Sequence, residues 1–254
     1  MTGRVMVGGV WRPMTEVAAL VDVFARTYKR DKDGRFGSGG EGVRESLAGA
    51  KNTTEVATVL ADELTATMGR PVAVDLKGMN VDVAREHAEG ILRVADQFPG
   101  NELGTISTFG RRGAVPAEEM GPSSGAHAVT RPGPDGSRTD AIYFNVDIQP
   151  AVYRRKLAKG SSAPTGPMGV AVHEMGHVVT IHNGSITQAN RIAERSADAA
   201  GEDFFDHIGG QISKYAASSE YEMTAEGFTK AFMHGSEASQ VSRDIYDAVV
   251  QANR

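Results

Sequence analysis

Cysteine is absent from the chain. That excludes a disulfide framework, a thiolate zinc finger, an iron–sulfur site and a cysteine nucleophile, and it leaves histidine and carboxylate as the only strong ligands for a metal ion. Long apolar runs are also missing, since no stretch approaches the roughly 20 residues that span a bilayer. The first apolar segment, residues 5–11, contains two glycines and runs into Arg12-Pro13, which makes a poor signal peptide. The expectation is a soluble, cytoplasmic protein with no membrane span and no signal peptide. Positive charge is not in excess either: 27 Lys and Arg stand against 32 Asp and Glu, for a net charge of −5. No basic field draws such a chain to nucleic acid, and no nucleic-acid partner is expected.

What is present is a chain of 254 residues, 40% of them hydrophobic, long enough to bury one good core or two modest ones. Its glycines and prolines cluster around residues 34–42, 99–138 and 160–169 without any period, so they mark a linker and loops rather than a fibre. Residues 14–28 carry Val17, Leu20, Val21, Phe24 and Tyr28 at helical spacing behind Thr15, a short amphipathic helix. Residues 29–42 then alternate charges and collapse into glycine, as a flexible linker does. A domain boundary is placed near residue 50, dividing the chain into 1–50, an N-terminal segment with a flexible linker, and 51–254, the main domain.

In the second part, residues 54–68 predict a helix and 72–76 a short strand. A further helix presents Val83, His87, Ile91, Val94 and Phe98 on one face and stops at Pro99-Gly100. Residues 104–109, 126–130 and 141–146 predict strands, and the remainder, including a helix over 188–205, is mostly helical. Strands first and helices later indicate an α+β domain.

Residues 170–182 read VAVHEMGHVVTIH, which contains His173-Glu174-Met175-Gly176-His177, an H-E-x-x-H pattern. On a helix two histidines four apart project from one face, as two ligands of one tetrahedral ion must, with Glu174 beside them to accept a proton from an activated water. The flanking Val170, Val172, Val178, Val179 and Ile181 make this an apolar, buried helix. A polar His-Glu-His face there is costly to bury without a metal or hydrogen-bonding partners.

A catalytic zinc commonly takes three protein ligands, and three candidates exist for the third. His182 falls one position short of the register in which a further histidine follows H-E-x-x-H at fixed spacing. Glu194 lies on the next helix, in Glu194-Arg195-Ser196-Ala197-Asp198, and is equally suited to a solvated face beside Arg191 and Arg195. Glu222 stacks with Glu226 on one face of a helix whose other side carries Tyr221, Ala225, Phe228 and Phe232. Ser218 or Ser219 can cap that helix, and Tyr215, seven residues ahead of Glu222, can offer a phenol to the same site.

The motif H-E-M-G-H followed by Y-A-A-S-S-E-Y-E-M-T-A-E-G-F resembles the catalytic domain of anthrax lethal factor and its phage and bacterial relatives. These carry E-x-x-A-E-x-F with a Tyr seven residues ahead of the first Glu. The resemblance covers residues 167–234 closely and 54–234 loosely. It implies a zincin-like metallopeptidase domain with a small mixed sheet and active-site helices, acting on a protein or peptide substrate. It further implies Zn2+ held by His173, His177 and Glu222, Glu174 as general base, Tyr215 stabilising the tetrahedral intermediate and Glu226 orienting a ligand histidine. The chain departs from those relatives at Met223-Thr224, where they carry two aromatics, and at Gly227, where they carry Ala. Residues 29–40 (KRDKDGRFGSGG) resemble a charged tract of tailed-phage structural proteins, which implies a phage-encoded, virion-associated protein that meets other virion proteins through residues 1–50. Composition alone reads the same tract as a polar linker. Two other roles share these residues: a structural virion protein that retains the zincin fold, which would have no need of Glu174, and a delivered effector or toxin protease.

Overall fold

The computed structural model describes residues 4–7, 10–13, 41–116, 125–132, 138–148, 162–163 and 166–254. The chain forms two compact units, Met1–Gly37 and Ser38–Arg254. In the first, β1 (Arg4–Val7) pairs antiparallel with β2 (Val10–Pro13), with Val7 opposite Val10. The helix expected over 14–28 and residues 29–40 of the linker expected over 29–42 lie outside the described residues, while Glu41 and Gly42, the last two linker positions, open a helix. The division at residue 37 precedes the boundary expected near 50. The reason is α1 (Glu41–Gly49), whose Leu47 is buried and whose C-terminal carbonyls at Leu47 and Ala50 accept hydrogen bonds from Arg85 of the larger unit.

The larger unit is α+β. Helix α2 (Thr53–Met68) is fixed at its start by a reciprocal cap. Asn52 accepts from the Glu55 amide while Glu55 accepts from Lys51 N and Asn52 Nδ2, an arrangement worth about 1 kcal/mol. Its buried stripe, Val56, Leu60 and Leu64, recurs every four residues. Strand β3 (Ala73–Val74) is shorter than the sequence suggests; Asp75 N still donates to Ile106 O at 2.9 Å, and the chain turns at Lys77-Gly78. Helix α3 (Val81–Gln97) is capped by Asn80 and ends where Pro99 forces it to.

Strands β4 (Leu103–Phe109), β5 (Ala126–Pro132) and β6 (Arg138–Asn145) complete a four-stranded sheet of order β3-β4-β6-β5. The first three neighbours in that order run parallel, whereas β5 lies antiparallel to β6 at the edge. Strand β6 is buried on both sides: Phe144 meets α3, and Ala141 and Tyr143 cluster with Phe109. Helices follow: α4 (Gly166–Thr180), α5 (Ser185–Ala200), α6 (Phe204–Gln211), α7 (Glu220–His234) and α8 (Gln240–Ala252). The single helix expected over 188–205 is two. Gly201, at φ +67°, closes α5 with its amide on Ala197 O and Asp198 O, and Asp203 caps the start of α6. Among the described residues no helix is long and apolar enough to cross a membrane.

The sheet is fastened to the helices by His87 of α3. Its ring stacks on Phe144 at 4.0 Å between centroids, and its Nδ1–H donates to Pro167 O at 2.8 Å. Burial pushes this imidazole down to about 4 despite the hydrogen bond. A histidine held neutral in the fold takes up a proton on unfolding at mildly acidic pH, so its contribution is complete above 6.5 and is lost as pH falls through about 4. The whole difference is about 3 kcal/mol. Urea titrations at several pH values are expected to show that much less acid destabilisation in His87→Phe than in the parent chain. Parallel pH profiles would refute a neutral buried His87.

Candidate metal centre

Helix α4 is apolar nearly all round and buried along its length, His173 and Glu174 included at 6% exposure each. Its C-terminal carbonyls are not left bare, since Val179 O accepts from Asn183 Nδ2 at 2.7 Å and from Asn253 Nδ2 at 3.1 Å. Helix α7 crosses it where Gly176 sits. A Cβ there would lie 3.2 Å from the Phe228 ring and 3.4 Å from Ala225 Cα, so the close approach of the two helices depends on glycine inside the H-E-x-x-H motif. Gly227 does the same against α8, where an added Cβ would come 3.0 Å from Ile245 Cδ1. Ser219 caps α7 through the Glu222 amide, which puts Glu222 in the first turn at a fixed chain entry.

These constraints bring three ligand atoms together. His173 Nε2 and His177 Nε2 are 3.2 Å apart, and Glu222 Oε2 lies 3.1 Å from the first and 3.5 Å from the second. A tetrahedral ion with bonds of 2.0–2.1 Å has ligand–ligand edges of about 3.3 Å. The observed triangle has those dimensions. His173, His177 and Glu222 form the group of side chains able to hold a metal among the described residues, and no fourth protein ligand joins them there. Glu222 Oε2 is buried and accepts no hydrogen bond, an orphaned carboxylate oxygen aimed at two imidazole nitrogens. The donor set therefore fits a borderline-soft divalent ion such as zinc.

The electrostatics point the same way. Burial would lower the His173 imidazole, yet the carboxylates of Glu222, Glu226 and Glu174 raise it to about 10. Burial would raise Glu222, yet the two histidines pull its carboxyl well below the usual range. Glu174 is pushed up by burial, with His173, His177 and His127 pulling it partly back and Glu222 opposing them.

Glu226 is fully buried and accepts from Ser213 Oγ at 2.5 Å, Ser162 Oγ at 3.2 Å and the Ala163 amide. His173 Nδ1 lies 3.2 Å from its Oε1, though out of line for a hydrogen bond. Tyr215 is half-exposed and donates to Glu222 Oε1 at 2.9 Å. Burial first, and then the Glu222 charge, raise its phenol, so it stays protonated and a donor.

The other two candidates for the third ligand are elsewhere. Glu194 is exposed on α5 and accepts from Asn190 Nδ2 at 3.0 Å. His182 contacts Asp140 at 3.1 Å, and Asp140, buried on β6, also accepts from Thr130 Oγ1 at 2.7 Å. That tie pins the turn after α4 to strand β6. His127 lies on the edge strand β5 with a buried Nε2 that has no hydrogen-bond partner among the described residues. Its electrostatic effect on Glu174 connects it to the site. No spacing rule relates a strand residue to a helix residue so far along the chain.

No protein-family model, curated protein or solved structure matches the chain.

Proposed function

We propose that the chain is a zinc-dependent metalloendopeptidase with a zincin-like domain. The observation that carries this reading is the convergence of His173, His177 and Glu222 at tetrahedral edge lengths, with a buried Glu174 next in sequence to the first ligand. The resemblance of both motif segments to the catalytic domain of anthrax lethal factor supports it. So does the three-membered ligand group found among the described residues, because structural zinc sites close their fourth position with protein whereas catalytic sites leave it to water or substrate.

A zinc ion held there would supply Lewis acidity and lower the pKa of a water toward 7. The chain's own residues supply the proton traffic and the positioning. Glu174 takes the proton of the attacking water and gives it to the leaving amine, and a carboxyl raised by burial is suited to both halves of that exchange. Tyr215 holds Glu222 through its hydroxyl, and the same phenol can turn to donate to the oxyanion that develops on the scissile carbonyl. Glu226 anchors the backbone at Ser162-Ala163 and the Ser213 hydroxyl beside His173, which limits the freedom of the first ligand.

The test is cleavage of an unstructured protein such as reduced casein by the zinc-loaded chain. New peptide termini are expected by mass spectrometry, suppressed by 1,10-phenanthroline and restored by added zinc. An intact substrate at one bound zinc per chain would overturn the reading.

A further inference from the structure

A second constellation lies outside the metal centre. Ser196 Oγ on α5 is 2.8 Å from His207 Nε2 on α6, and His207 Nδ1 is 2.6 Å from Glu202 Oε2 in the turn between these helices. A carboxylate can only accept, so the Nδ1 proton is directed at Glu202 and Nε2 is left to accept from the serine hydroxyl. Nucleophile, base and orienting carboxylate are thus joined in series at the distances that activate a serine. His207 is buried at 6% exposure, which fixes its ring, whereas Ser196 is partly exposed. Ser196 opens onto a groove of about 500 Å³ between α5 and α8, lined also by Ile192, Arg195, Asp244, Asp247 and Ala248.

We propose that Ser196, His207 and Glu202 form a second hydrolytic site, acting on small carboxylic esters that enter this groove. Ser196 Oγ attacks the ester carbonyl carbon while its proton passes to His207 Nε2. The resulting oxyanion is met by Arg195, the cation in the groove wall, and Glu202 stabilises the imidazolium. The C–O bond to the leaving alcohol then breaks, and the alcohol departs with the proton from His207. A water follows the same path against the acyl-serine and releases the carboxylic acid. Ile192 and Ala248 give the acyl chain an apolar wall.

The experiment uses the full chain carrying Glu174→Gln, so that peptide hydrolysis is silenced. A fluorophosphonate is expected to form one adduct per chain, located by peptide mass spectrometry on Ser196. Hydrolysis of 4-nitrophenyl butyrate is expected to resist 1,10-phenanthroline and to fall by about 10²–10⁴-fold in Ser196→Ala and in Glu202→Gln. The Glu202 variant alters an exposed carboxylate and keeps the fold testable by circular dichroism. An unmodified Ser196 in folded protein, or an unchanged ester rate in Ser196→Ala, would show that the relay merely ties α5 to α6 and would overturn the proposal.

Discussion

Replacing Glu174 by Gln is expected to remove peptide hydrolysis while leaving zinc in place. Loss of a general base costs about 10²–10⁴-fold in rate, and a greater loss is expected if the same side chain both takes and returns the proton. Zinc content should stay at one per chain, because the atoms placed to hold an ion belong to His173, His177 and Glu222 and not to Glu174. Stability should not fall. The substitution is isosteric, and it removes a carboxyl that burial already disfavours in its charged form. Paired assays of peptide cleavage and elemental zinc separate the outcomes. Retained cleavage would exclude Glu174 as the base, and lost zinc would place it among the ligands.

Glu222→Ala is expected to have the opposite profile, with zinc lost first and activity lost as a consequence. The change removes one of three ligand atoms and leaves the Tyr215 hydroxyl without its acceptor. Mutating an outer partner of a metal ligand costs about 10–100-fold in affinity, which is the range expected for Glu226→Gln, and losing a direct ligand should exceed it. The readout is thermal as well as chemical. A ligand bound only by the folded state stabilises it by about 4 kcal/mol at 1,000 times its Kd, so zinc should raise the Tm of the parent chain and leave that of Glu222→Ala unmoved. An equal zinc-dependent shift in both would remove Glu222 from the ligand set.

The parts of this site visible in the sequence are those written in local spacing. His173 and His177 share a face because they are four apart on an apolar helix, and Glu222 and Glu226 do so for the same reason beside a serine cap. The close crossing that brings the two helices together is half-visible, as the glycine at 176, but its meaning depends on Phe228 and Ala225 arriving opposite it. What the sequence does not disclose is contact between distant segments. Glu226 finds Ser162 and Ala163 some sixty residues earlier, and Asp140 receives both Thr130 and His182. His127 meets the electrostatics of Glu174 across a strand-to-helix junction that no periodicity encodes. The sheet order is likewise a tertiary outcome, since β5 follows β4 in the chain yet lies beside β6 rather than β4. The break between α5 and α6 is a different matter: Gly201 followed by Asp203 is a stop-and-start signal, and helical periodicity running past it obscured the two caps.

The most direct test of the account is anomalous diffraction at the zinc edge from crystals of the zinc-loaded chain. One strong peak is expected about 2.0–2.2 Å from His173 Nε2, His177 Nε2 and a Glu222 carboxylate oxygen, with its remaining position open to solvent. A peak coordinated by Glu194 or His182 in place of Glu222, or no peak between the two histidines, would contradict it.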